Sequence, residues 1–466
     1  MPALRVATIR SATRLIRSAL STEEPPYFWT TSATAFSSQV RKPLFARQTT
    51  RTTEWTGPAV AGTTLVAVPT VDAGPDTPER APSSRGPLAG LAEHRFAPVI
   101  APGALYLLVR LLGVLVLALM SAHWDKDVAK VLTSWDGQWF LAIAQGGYGG
   151  VTPALVDAFG RRSAETPLAF FPGYPLLVGW VEALPGVSAV GAAFSVSLVS
   201  GVFCAYGLHR LGRAVRGGSE RAGLVLVALF AASPMAVVLS MAYSEALFCA
   251  LAAWSLVGVV ERRWVLAGLC AAGAGLVRPT AGALVLAVGL AALVAVWQRR
   301  DGLRPWIGGV LAPLGMLGYL AFVAVRTGQL DGWFAVQQRG WGSKFDGGAA
   351  TWQFTWEILA NPRSVLELVT VWLLLGALAL VVVCVRRRVE WPLVVYAVGV
   401  IVMDLGSNGL MNSKARLLLP AFALLLPIAL SLAKRRTGTV VSVLAGVAVF
   451  GAWFGAYSIT AWQYAI

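Results

Sequence analysis

From Pro98 to the end of the chain, long apolar runs alternate with short polar breaks, and each run approaches the roughly 20 residues needed to cross a bilayer. The pattern predicts an all-α polytopic membrane protein with about eleven transmembrane helices. The predicted spans are 98–122, 187–208, 223–240, 246–260, 264–277, 280–297, 306–325, 364–385, 391–405, 417–433 and 439–459. Phe170–Leu184 is apolar too, but it is short, carries Pro172 and Pro175 and is followed by Pro185, so a re-entrant or interfacial helix is expected there.

Charge orients this frame. Arg/Lys clusters at 210–221, 262–263, 299–300, 386–388 and 434–436 fall in alternate loops, as the positive-inside rule requires of the cytoplasmic side. Counting Phe170–Leu184 as a crossing would turn the later clusters outward. Arg161-Arg162 lies in a long outer loop, and Arg110 sits inside the first span, where the sequence suggests no role for it. Two outer loops are long, 123–167 and 327–363, and loops of that length are often functional.

Composition agrees with a membrane protein: 56% hydrophobic, 13% charged and 18 Trp in 466 residues. The net charge of +15 then points to anionic lipid headgroups as the counterpart of the basic loops, with no nucleic acid. Cys204, Cys249, Cys270 and Cys384 all lie in apolar runs as small buried hydrophobes, and the three His are scattered, so no metal or redox cluster is expected. Residues 1–95 are rich in Ser, Thr, Pro, Arg and Ala. They read either as a disordered cytoplasmic extension ahead of a 96–466 membrane domain or as a stretch upstream of the true start.

The polar residues at membrane depth carry the candidate chemistry, and nearly all fall at the outer ends of spans. In the first outer loop Val128, Val131, Leu132, Trp135, Trp139 and Ile143 recur at helical spacing, predicting an amphipathic helix on the membrane surface with Asp136 on the flank of its apolar stripe. A carboxylate so placed loses hydration and suits a general base. The alternative is a surface helix with belt tryptophans and a solvated Asp. Asp125 and Asp127 form an Asp-x-Asp pair with the shape of a hard-cation site, but the intervening Lys126 and the position at a helix end favour a plain solvated turn, and both remain fallback bases.

Glu245 follows Tyr243-Ser244 at a span end, where Ser244 is expected to cap the returning helix. Arg278 interrupts a long apolar stretch, a costly place for a guanidinium unless it is paired or faces water. Lys414 and Arg416 start the tenth predicted span. They read as phosphate ligands or as side chains snorkelling to headgroups. Gln337-Gln338-Arg339-Gly340-Trp341-Gly342 in the second loop mixes polar and aromatic groups in a manner suited to sugar contact. A base, cationic groups and an outward cavity at the lipid boundary together fit a lipid-phosphate-linked sugar.

The order of motifs resembles the PIG-V-like membrane mannosyltransferases of the glycosyltransferase C (GT-C) superfamily. The residues that carry it are Trp135-Asp136-Gly137-Gln138-Trp139-Phe140, Phe170-Phe171-Pro172-Gly173-Tyr174-Pro175-Leu176, Tyr243-Ser244-Glu245-Ala246-Leu247-Phe248, Arg278-Pro279-Thr280 and Arg416-Leu417-Leu418-Leu419-Pro420, within 98–435. The resemblance implies a multi-pass enzyme of the plasma membrane that takes mannose from a polyprenyl-phosphate carrier on the extracytoplasmic face. It implies inversion at the anomeric carbon, no nucleotide sugar, and a glycolipid or glycan acceptor. It makes Asp136 the catalytic base, with Trp135, Gln138, Tyr174, Tyr243, Glu245, Arg278, Arg339, Lys414 and Arg416 as substrate-binding candidates. No cofactor is implied, and a divalent metal is left open. Gly173 departs from the pattern, which expects a bulkier apolar residue there. The Ala/Gly/Arg-rich, Lys-poor composition resembles an actinobacterial protein, for which a glycosylphosphatidylinositol acceptor is not expected. The rival reading is a transporter or flippase of a lipid-linked glycan, which would place its charges near the midplane between inverted repeats.

Overall fold

Ala97–His123 (α1) opens the described part of the computed structural model, which covers residues 97–466 except 463 and 466. The expectation for 1–95 lies outside the described residues. Past α1 the first long loop carries α2 (Val128–Leu132), α3 (Asp136–Gly146) and a 3₁₀ turn, Thr166–Ala169, before α4 (Gly173–Glu182). Then follow α5 (Ala189–Ala214), α6 (Glu220–Ala231), a 3₁₀ stretch Ala236–Ser240, α7 (Glu245–Val260), α8 (Trp264–Gly275) and α9 (Ala281–Trp297). The chain continues through α10 (Arg304–Leu311), α11 (Leu314–Thr327), α12 (Gly332–Trp341), α13 (Ala349–Ala360), α14 (Val365–Arg386) and α15 (Trp391–Leu405). It closes with α16 (Lys414–Leu417), a 3₁₀ segment Leu419–Leu425, α17 (Leu426–Leu432) and α18 (Thr437–Thr460).

This is an all-α, multi-pass membrane architecture. Among the described residues, five helical segments are long and apolar enough to cross a membrane, or six if the bent pair Met411–Leu417 and Leu419–Leu432 is one span. Each of the eleven predicted spans coincides with helix, but several are short. At 1.5 Å per residue α8 is roughly 18 Å long, well under a hydrocarbon core of about 30 Å. The predicted 223–240 span is interrupted where α6 ends at Ala231 ahead of Pro234, whose ring cannot continue a helix.

That interruption accounts for Arg110. A helix that stops inside the bundle leaves carbonyls without partners, and Arg110 Nη1 donates to Ala231 O at 2.8 Å while Nε donates to Ser240 Oγ at 3.1 Å. Arg110 on α1 is thus the cap of a broken neighbour, buried at 7% exposure.

The bundle core is built by α5 against α7, α7 against α8, α1 against α18 and α9 against α15. Small residues allow close approach where helices cross: a Cβ on Gly268 would meet Gly308 O at 2.6 Å. The end of the bundle with the basic clusters is laced by its own ion pairs, Arg210 to Glu261 at 2.6 Å, and Glu220 to His209 and Arg213 at 2.9 Å each. At the opposite end the two long loops pack together. Tyr148 and Tyr319 both donate to Phe170 O at 2.8 Å, and Gln337 Nε2 donates to Ala169 O at 3.1 Å. Within the second loop Asp346 accepts from the backbone N–H groups of Ala350 and Gly348, which holds its carboxyl below the usual carboxylate range.

Candidate functional site

The predicted continuous helix over 128–143 is broken. Thr133 closes α2 with its backbone N–H on the Ala129 and Lys130 carbonyls, Ser134 N–H donates to Val131 O, and Trp135 takes φ +52°, a backbone an L residue adopts only under strain. Nor does the apolar stripe lie free on a surface. Val131, Leu132, Trp139 and Ile143 are buried against the bundle, because α2 and α3 fold back onto it through Ala242 N–H to Leu132 O at 2.9 Å. Asp127, a fallback base, instead caps α2 by accepting from Lys130 N at 2.8 Å.

The strained turn puts Asp136 in the first turn of α3, facing α16. There Asp136 Oδ2 pairs with Arg416 Nη2 at 2.7 Å. Arg416 Nη1 lies 3.9 Å from Glu245 Oε1, and Glu245 Oε1 lies 2.7 Å from Arg278 Nη1. Four motifs separated by up to 280 positions therefore meet in one alternating chain, carboxylate, guanidinium, carboxylate, guanidinium. Glu245 is wholly buried, while Asp136 keeps 28% of its side chain exposed, so the array of charges reaches the protein surface at the Asp136 end.

Neighbouring groups fix this array. Ser244 has helical dihedrals and no capping bond to the helix it precedes, contrary to the expected cap. Its hydroxyl accepts from Arg278 Nη1 at 3.1 Å instead. Tyr243 lies under Arg416, with the guanidinium 5.2 Å from the ring centroid, and its hydroxyl donates to Ser134 O at 3.3 Å, pinning the turn before Asp136. Arg278 is held at the end of α8 by its neighbours. Gly173 N–H donates to Leu276 O at 2.7 Å, and a Cβ on Gly173 would meet that oxygen at 2.9 Å. The departure of Gly173 from the bulkier residue expected is thus a steric requirement of docking α4 on α8.

Not every predicted residue joins this array. Tyr174 is fully buried and donates to Ala193 O at 2.9 Å, 3.0 Å from Ser197 Oγ, so it locks α4 to α5. Lys414 is 1% exposed, and its ammonium donates to the carbonyls of Asp404 at 2.6 Å and Ser407 at 2.8 Å, capping α15 two residues before Arg416. Arg339 pairs with Glu165 and receives Arg161 on its carbonyl, joining the two long loops. Trp135 is half-buried, packed against the core, and Gln138 is exposed beside Asp136. Asp404, near Lys414 at 4.0 Å, escaped the sequence reading, although an acidic residue ending an otherwise apolar span was a visible signal.

The guanidiniums retain unused capacity. Arg278 Nε and Arg416 Nε and Nη1 are buried with no hydrogen-bond partner. Buried donors of that kind are costly unless something completes them, and convergent N–H groups suit a phosphate. Among the described residues no three His, Cys, Asp or Glu side chains come together as a metal-ligand group.

Comparison with known proteins adds a partial likeness. Over 140 residues the chain is 36% identical to the GPI alpha-1,6-mannosyltransferase 2 of Cricetulus griseus. The matched stretch is 28% of this chain and 25% of that protein, so the chain spans about a quarter of the length of the curated relative it matches. No family model matches the chain.

Proposed function

We propose that this protein is a membrane glycosyltransferase that moves mannose from a polyprenyl-phosphate donor to a glycolipid or glycan acceptor at the extracytoplasmic face of the plasma membrane. The observation that carries the reading is the alternating chain Asp136–Arg416–Glu245–Arg278. The named activity of the partial relative supports the sugar.

In this mechanism the donor phosphate docks on the unpaired donors of Arg278 and Arg416. A bound phosphate competes with Asp136 for Arg416, and an arginine drawn toward phosphate leaves Asp136 free of its counter-ion. Donor binding thus frees Asp136 Oδ2 to accept a proton from the acceptor hydroxyl. The acceptor hydroxyl attacks the anomeric carbon and gives its proton to Asp136, and the bond from that carbon to the phosphate oxygen breaks. The phosphate leaves with the bonding electrons, and the two guanidiniums stabilise its added charge. Glu245 keeps the arginines apart and oriented, while Lys414 positions Arg416 by fixing the turn between α15 and α16.

The test is transfer of radiolabelled mannose from polyprenyl-phosphomannose to endogenous acceptors in membranes, wild type against Asp136→Asn. Label moved by the wild type alone supports the reaction class and the base. Turnover retained by Asp136→Asn removes Asp136 from the mechanism. Absence of transfer by well-folded wild type, with glycan translocated across vesicles instead, replaces the enzyme by a flippase.

A further inference from the structure

The broken span that carries Lys414 and Arg416 at one end has a different feature at the other. Pro427 sits in the first turn of α17, and Ala421 in the preceding 3₁₀ segment leaves helical dihedrals (ψ +28°). The two halves of the span are bent by 51°, and beside α17 a groove of about 390 Å³ opens against the last turns of α14. Its walls include Val383, Pro427 and Ile428, and its rim carries Arg387 from the end of α14 and Arg435 from the end of α17.

Three properties of this groove point to one kind of occupant. Its walls are exposed apolar surface on membrane-spanning helices (Val383 and Ile428 are each 36% exposed), so hydrocarbon rather than water fills it in a bilayer. No acidic side chain lines it, and among the described residues neither Arg387 nor Arg435 has a side-chain ion pair or hydrogen bond. The positions of the two arginines, at the ends of both helices, match the level of lipid headgroups. Ser431 adds no donor, because its hydroxyl is spent on Pro427 O at 2.7 Å. Recognition at the rim is therefore by positive charge, and along the wall by an aliphatic chain.

We infer that this groove binds an anionic diacyl phospholipid of the leaflet facing the basic loops, with one acyl chain between α14 and α17 and the phosphodiester on Arg387 and Arg435. By the positive-inside rule that leaflet is cytoplasmic, so the site lies at the other end of the bundle from Asp136. The lipid fills the groove between α14 and α17 and braces the lower half of the span whose upper half presents Arg416.

Native mass spectrometry of the full-length protein in detergent tests this, with 1-palmitoyl-2-oleoyl-phosphatidylglycerol and the matching phosphatidylcholine as probes. The expected result is one retained phosphatidylglycerol per chain in preference to phosphatidylcholine. Arg387→Ala/Arg435→Ala weakens that binding by about tenfold or more, from two lost headgroup contacts. Lys434→Ala/Arg436→Ala removes the same charge off the groove and keeps the wild-type affinity. Ile428→Trp, which fills the groove and leaves the charge unchanged, also weakens binding. Equal retention of the two lipids overturns the proposal, as does an equal loss in both double variants. Displacement of phosphatidylglycerol by undecaprenyl phosphate at matched concentration overturns it too, by making the groove a carrier site.

Discussion

Asp136 and Arg416, 280 positions apart in sequence, hold each other by a 2.7 Å ion pair at the mouth of a buried charge chain. The pair couples the first long loop to the start of the broken span.

Replacing Asp136 by Asn keeps the shape of the side chain and removes its charge and basicity. Transfer is expected to fall by about 10²–10⁴-fold, the usual contribution of a positioned base. The variant's melting temperature in detergent should fall by less than that of Glu245→Gln, because Asp136 is partly exposed and Arg416 keeps Glu245 at 3.9 Å. A parallel collapse of melting temperature would assign Asp136 a structural role instead.

Glu245→Gln is expected to behave in the opposite way. Glu245 is fully buried between Arg278 and Arg416, and neutralising it leaves Arg278 with no compensating charge while Arg416 keeps Asp136. Breaking a buried pair from one side costs about 3–5 kcal/mol, so the thermal transition should drop clearly. Adding Arg278→Gln should restore part of the loss. A double-mutant cycle in which the two losses simply add would show that the pair does not interact.

Gly173→Ala should destabilise the protein by about 1–3 kcal/mol, the usual range for overpacking. The added methyl meets Leu276 O at 2.9 Å, a backbone atom that cannot rotate away. Since Leu276 lies two residues from Arg278, the variant should also weaken donor binding, read as a rise in KM. An unchanged melting temperature would mean that α4 docks more loosely than its 2.7 Å hydrogen bond implies.

Arg110→Met removes the cap from Ala231 while keeping much of the apolar stem. Leaving that buried carbonyl unpaired costs about 1–3 kcal/mol, and Arg110→Lys should recover a share of it. Thermal unfolding of the three proteins side by side checks the order wild type, Lys, Met. Equal transitions for all three would mean that the end of α6 needs no cap.

The apolar runs alone determined the all-α membrane architecture and the location of its helices, because hydrocarbon tolerates no other open backbone arrangement for a span. The charges of Arg278, Glu245, Lys414 and Arg416 stood out in the sequence for the same reason: at those depths an ionisable group must find a partner. Which partner each one found was a tertiary decision. Arg416 met Asp136, while Lys414, two residues earlier, turned to the carbonyls ending α15, because a helical step of two positions points side chains to different faces. Pairing distances below 3 Å depend on how α3, α7, α8 and α16 pack, and periodicity carries no information about that. The break at Trp135 was hidden likewise. Its neighbours keep perfect helical spacing, and the contacts that hold the backbone on either side of it are tertiary, Leu132 to Ala242 and Ser134 to Tyr243 before the turn and Asp136 to Arg416 after it.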